Sequence, residues 1–133
     1  HSEYMLELSK IDLIIKRMRR IGLVSVVCTN TAQVSAAVAA LEPDIIAIEP
    51  PELIGTGIPV SKVKPEIVAD TVALIQRINR NIPVLCGAGI TRGEDAAAAT
   101  KLGTRGVLVS SGVVKTKDPS KALLDLAEGV TRH

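Results

Sequence analysis

Four short runs of mostly apolar residues punctuate the chain: Leu23 to Cys28 (LVSVVC), Asp44 to Ile48 (DIIAI), Pro83 to Cys86 (PVLC) and Gly106 to Val109 (GVLV). They are rich in valine, isoleucine and leucine and do not alternate with polar residues, which is the pattern of strands covered on both faces of a parallel sheet. The segments between them carry helical spacing instead. Helices are predicted over Lys10 to Arg20 with Ser9 as N-cap, Ala32 to Leu41 behind Asn30 and Thr31, Pro65 to Asn79, Glu94 to Leu102, and Pro119 to Gly129. The order α-β-α-β-α-β-α-β-α follows.

Local signals support the boundaries. Asp118 followed by Pro119 starts a helix well, because aspartate caps it and proline suits its first position. Gly22 and Gly103 stand where two helices should stop. Alternation this regular predicts right-handed βαβ crossovers and a parallel α/β sheet in one domain spanning residues 1–133, with no linker or low-complexity stretch. Such units build either a small doubly wound sheet or half of an eight-stranded barrel. A whole barrel takes about 250 residues, so 133 residues make at most half of one.

Composition narrows the function. Hydrophobic residues make up 47% of the chain and charged residues 23%, which excludes a disordered segment. Cys28 and Cys86 form no C-x-x-C pair and stand near no histidine cluster, so neither a structural metal site nor a disulfide framework is indicated, and both read as small buried hydrophobes. A reducing cytoplasmic setting is expected. No apolar run is long enough for a membrane span. With a net charge of +2 and Tyr4 as the only aromatic residue, the chain offers neither a basic footprint nor a stacking platform for nucleic acid. Arg17, Arg19 and Arg20 read as a solvated helix face, and His133, the last residue, is expected to be disordered.

In parallel α/β folds, reactive groups gather just past the carboxyl ends of strands. Glu49 follows the second strand, and Pro50 and Pro51 keep the chain from entering a helix at once. A half-desolvated carboxylate there is a candidate general base, although an isolated glutamate at such a place also fits a helix cap or a lysine partner. The connection from Pro50 to Lys62 is longer than most βα loops. Stiff at its entrance and carrying Gly55-Thr56-Gly57, it has the makeup of a closing lid, or of an ordinary glycine-rich turn. Gly87-Ala88-Gly89, directly after the third strand, lets backbone amides approach an anion, and phosphate is the natural guest. Ser110 and Ser111, after the fourth strand, offer two more amides to it, or else cap a short helix.

Taken together, the segments HSE, IEPPELIGTG, VLCGAGI and GVLVSSGV resemble triosephosphate isomerase of the archaeal branch, over nearly the whole chain and in order. They resemble its second half only, from the end of barrel strand four onward. The resemblance implies a (β/α)8 barrel that interconverts dihydroxyacetone phosphate and glyceraldehyde 3-phosphate through an enediolate, without a cofactor or metal. It implies Glu49 as general base, His1 as a neutral electrophile toward the carbonyl oxygens, and Glu3 as an acidic residue behind the active-site lysine. Ile54, Gly55, Gly89, Ser110 and Ser111 would hold the phosphate, and Pro50, Pro51, Glu52, Leu53, Thr56 and Gly57 would complete the lid.

The departures carry expectations too. The family's lysine and asparagine come from its first strand, which these residues do not contain, and Tyr4 and Met5 stand where many members have arginines. No start codon encodes His1, so the chain reads as a cleaved or cut piece, or as a polypeptide recorded without its first half. Half a barrel exposes an apolar face and two strand edges. It is expected to pair with the missing half or with a second copy, and to be a homo-oligomer like its relatives. Two rival readings remain: a phosphate-binding half-barrel that serves only assembly, and a fragment of another phosphate-binding barrel enzyme.

Overall fold

A computed structural model describes residues 1–131, so His133 lies outside the described residues. Among the described residues, seven helices and four strands follow in the order α1 (Leu8–Arg20), β1 (Val26–Thr29), α2 (Ala32–Ala39), β2 (Ile45–Ile48), α3 (Val60–Val63), α4 (Pro65–Ile78), β3 (Val84–Cys86), α5 (Gly93–Lys101), β4 (Gly106–Val107), α6 (Ser111–Val114) and α7 (Pro119–Thr131). The strands form one parallel sheet in the order β1-β2-β3-β4. Val26 pairs with Ile45, Ile46 with Val84, and Leu85 with Gly106. Sequential parallel neighbours with helices between them are the arc of half a (β/α)8 barrel.

The core gathers on the middle of that arc. Ile46, Ala47 and Ile48 of β2 are fully buried, as is Cys86 of β3. From outside, α4 turns Val68, Thr71, Val72 and Ile75 inward, the i, i+3, i+4, i+7 spacing that places one stripe on one face. Asp118 accepts from the Lys121 N–H at 3.0 Å at the start of α7, as its sequence position predicts. The contact between α5 and α7 is unusually close: a Cβ on Gly129 would stand 2.0 Å from the Gly93 carbonyl oxygen.

Several expectations need correction. Ser9 lies inside α1, whose first free amides, on Lys10 and Ile11, turn back to the Glu7 carbonyl. The first strand begins at Val26, and Leu23 and Val24 are exposed, so β1 is an edge and not a strand buried on both faces. With a neighbour on one side only, it has less to cover it. The fourth strand stops at Val107 and does not run to Val109, and α6 begins at Ser111. The connection from Pro50 to Lys62 is not all loop: a 3-10 turn covers Pro51–Leu53, and α3 occupies its end. Elements of three or four residues are too short to show a period, which is why no pattern announced them.

Candidate active site

Glu49 follows β2 directly, and its N–H donates to the Thr29 carbonyl at 2.7 Å, so the parallel ladder carries it to the sheet mouth. It is a buried carboxylate, 3% exposed. Oε2 lies 3.4 Å from His1 Nδ1 and accepts from the Ser2 N–H at 3.3 Å, while the Ser2 hydroxyl donates to the Glu49 backbone carbonyl. Pro50, directly after Glu49, is fully buried.

Room for that side chain comes from Gly87. A Cβ there would stand 2.5 Å from Glu49 Cγ and 2.8 Å from Oε1. The Gly87 N–H is spent on the Ile48 carbonyl at 2.9 Å, so this glycine serves the carboxylate and supplies no amide to an anion. Gly89 has a different reason: at φ +74° its missing Cβ makes way for the Ile58 carbonyl oxygen, 1.8 Å from where the carbon would sit. Between them Ala88 adopts φ +67°, an uncommon conformation for a residue with a side chain.

Over the carboxylate opens a cavity of about 500 Å³. It is lined by His1 and Glu49 on one side, Ile54, Gly55 and Gly57 from the connection between Pro50 and Lys62, and Gly89, Ser110 and Ser111 from the last two loops. Among the described residues no acceptor is bonded to the backbone N–H of Gly55, Gly89, Ser110 or Ser111. By contrast, the amides of Thr91 and Arg92 are engaged by Asp95, and that of Gly93 by Asp125. The wall thus presents unspent donors on three segments, which is what an anion requires. Ser110 precedes α6 without a side-chain capping bond.

The remaining sequence candidates are placed elsewhere. Glu3 is exposed and is not among the residues that line this cavity. Leu53 belongs to the core, Glu52 pairs with Lys64, and Thr56 closes its own turn by donating to the Leu53 carbonyl at 2.8 Å. Pro51 opens the 3-10 turn.

Three residues were not legible beforehand. Ser2 positions Glu49 from both its groups, through a contact 47 positions apart in sequence. Lys115, at the end of α6, brings an exposed cation to the cavity rim. Cys28 is half-buried, not a core hydrophobe, and lines the cavity beside Glu49. Burial, reinforced by the neighbouring Glu49 carboxylate, pushes its thiol up to about 11. Cys86 is buried as expected, and burial pushes its thiol up to about 12. Both thiols are free.

Known proteins resemble this chain in sequence. A sequence model of the family described as triosephosphate isomerase matches residues 1–129. The chain belongs to the triosephosphate isomerase family. It is 55% identical over 130 residues to the triosephosphate isomerase of Methanobacterium bryantii, covering 98% of this chain and 58% of that protein. It is 54% identical over 126 residues to the triosephosphate isomerase of Methanocaldococcus jannaschii, covering 95% of this chain and 58% of the other. The chain therefore spans little more than half the length of these relatives. Among solved structures, the Amycolatopsis orientalis BexX/CysO complex superposes with a TM-score of 0.70 at 14% identity, over 93% of this chain and 48% of that one. A mutant flavocytochrome b2 with pyruvate bound gives 0.70 at 17% identity, over 94% of this chain and 33% of that one. These two likenesses concern the fold alone. Three of the four segments that carry the resemblance run out of β2, β3 and β4, and His1 of the remaining one lines the same cavity. No helix among the described residues is long and apolar enough to cross a membrane.

Proposed function

We propose that this chain is the C-terminal half-barrel of an archaeal-type triosephosphate isomerase, and that it contributes the base, the electrophile and the phosphate grip of the site. One observation carries this reading: a buried carboxylate and an imidazole share one cavity with unspent amides from three loops. Glu49 takes a proton from the substrate carbon next to the carbonyl, leaving an enediolate, and returns it to the neighbouring carbon. Its burial suits this work, because a base inside a closed cavity meets the substrate carbon with water kept out. His1, neutral and donating from its ring, stabilises the charge that develops on the oxygens.

The amides of Gly55, Gly89, Ser110 and Ser111, with Ile54 beside them, hold the phosphate. Each charge-assisted bond contributes roughly 1.5 to 3 kcal/mol, so several together keep the segment from Pro50 to Gly57 closed over the enediolate and exclude water. The reaction needs no cofactor. The family's lysine would come from the other half of the barrel, which makes that half the natural partner; a second copy of this chain would cover the open face and edges without supplying it. We further propose a cytoplasmic homo-oligomer acting on the triose phosphates of glycolysis and gluconeogenesis.

The test is Glu49→Gln in a full-length barrel carrying this segment, assayed with glyceraldehyde 3-phosphate. A general base contributes about 10²- to 10⁴-fold, and a loss of that size in kcat is expected. Activity retained within about tenfold removes Glu49 as the base. The alternative of a half-barrel that only assembles gains if the full-length barrel binds inorganic phosphate and never turns over substrate.

A further inference from the structure

One buried carboxylate ties the end of the lid to the glycine-bearing loop. Asp95, third residue of α5, is 3% exposed and yet bonded on two sides. Its Oδ2 accepts from the N–H of Thr91 at 3.2 Å, the Thr91 hydroxyl at 3.3 Å and the N–H of Arg92 at 3.1 Å. Its Oδ1 pairs with Lys62 Nζ at 2.7 Å, and its backbone carbonyl accepts from the Ser61 hydroxyl at 3.2 Å. Both partners on that second side belong to α3, the segment in which the lid ends. Two further contacts join the same pieces: the Val60 N–H reaches the Ala88 carbonyl at 3.4 Å, and the Ile58 carbonyl fills the space that Gly89 leaves open.

Capping of α5 uses only Oδ2. The bond from Oδ1 to Lys62 is therefore extra to the cap. It is not an ordinary surface pair either, because the carboxylate is buried, and removing Lys62, which also reaches the exposed Glu94 at 3.8 Å, leaves Oδ1 without its cation. Neither Asp95 nor Lys62 lines the cavity.

Resting on the reading of the lid and the amide rim as one anion site, we propose that Asp95 and Lys62 are positioning residues. They clamp the exit of the lid to the loop from Gly87 to Arg92, so that the Gly55 and Gly89 amides meet the same anion. Motion is then left to the stretch from Ile54 to Gly57, where Gly55 and Gly57 have positive φ and open space around them.

The test is Lys62→Met in a full-length barrel carrying this segment, followed by NMR with inorganic phosphate as the probe. Without phosphate, exchange of the Val60 amide should rise about tenfold or more, since its bond to Ala88 depends on the clamp. The Thr91 and Arg92 amides, still held by Oδ2, should keep their protection. On titration, Gly89 and Ser110 should still respond, Gly55 should cease to respond, and phosphate affinity should fall about tenfold, the loss of one lid contact. Adding Asp95→Asn, which keeps an oxygen for the cap, should cost no further affinity, and Lys62→Arg should restore the wild-type response. Unchanged Val60 exchange overturns the clamp, as does a Gly55 amide that still follows phosphate with affinity within about twofold of wild type. If phosphate moves no amide in the wild-type barrel, the anion-site reading fails, and Val60 exchange in Lys62→Met still decides the clamp by itself.

Discussion

Gly87→Ala places a methyl group where the structure has the Glu49 side chain. The new Cβ would stand 2.5 Å from Glu49 Cγ, about 1 Å inside ordinary carbon–carbon contact. Gly87 cannot retreat easily, because its N–H is bonded to the Ile48 carbonyl at 2.9 Å in the β2–β3 ladder. The carboxylate must give way instead, by about 1 Å, and a displacement of that size costs about 10²-fold in rate when the group is the reacting base. The overpacking itself should cost about 1 to 3 kcal/mol, within what a domain of ordinary stability tolerates. Since the Gly87 amide takes no part in the anion rim, KM should change little. The assay is steady-state kinetics in a full-length barrel carrying this segment, with thermal melting alongside. A kcat within about threefold of wild type, with melting unchanged, would show that Glu49 has slack the geometry denies and would refute the reasoning.

Three further outcomes follow from the same contacts. Gly129→Ala pushes a methyl to 2.0 Å from the Gly93 carbonyl oxygen, so α5 and α7 must separate; destabilisation of about 1 to 3 kcal/mol is expected in denaturant melts, and an unchanged midpoint contradicts the close packing. Cys28, with its thiol pushed up to about 11, should be alkylated by iodoacetamide near pH 8 about a hundredfold more slowly in the native chain than in urea. Glu49→Gln should speed that labelling, and equal rates in native and unfolded protein count against the burial. Asp95 is held below the ordinary aspartate range: burial works to raise it, and Lys62 with the Thr91 and Arg92 amides outweighs burial. A depressed folded-state value means that its contribution is present above the unfolded value of about 3.9 and is lost as pH falls below it. The stability gap between wild type and Asp95→Asn should therefore narrow on acidification, and a gap independent of pH would remove the ion pair as its source.

Much of the architecture was legible in advance because its causes are local. A run such as IIAI buries wherever it folds, and the pairs Asp118-Pro119 and Thr31-Ala32 start helices through bonds to residues a few positions away. Glu49, Gly55, Gly89, Ser110 and Ser111 were found by their place after strands, and the folded chain brings them around one cavity. The exposure of β1 was not legible, since apolar residues at an edge read the same as those in the middle of a sheet.

Tertiary structure alone decided what each candidate does to its neighbours. The sequence by itself determined the alternating units, the carboxylate at a strand mouth and the glycines near an anion. It did not show that Gly87 exists to seat Glu49, that Gly89 makes way for Ile58, that Ser2 holds the carboxylate, or that Glu3 stands apart. Those facts depend on contacts between residues 30 to 50 positions apart, set by the parallel register and by which loops the barrel arc draws together. No short-range spacing encodes them, because a βα unit fixes where its own strand ends and leaves the distance to the next loop to the packing of the whole sheet.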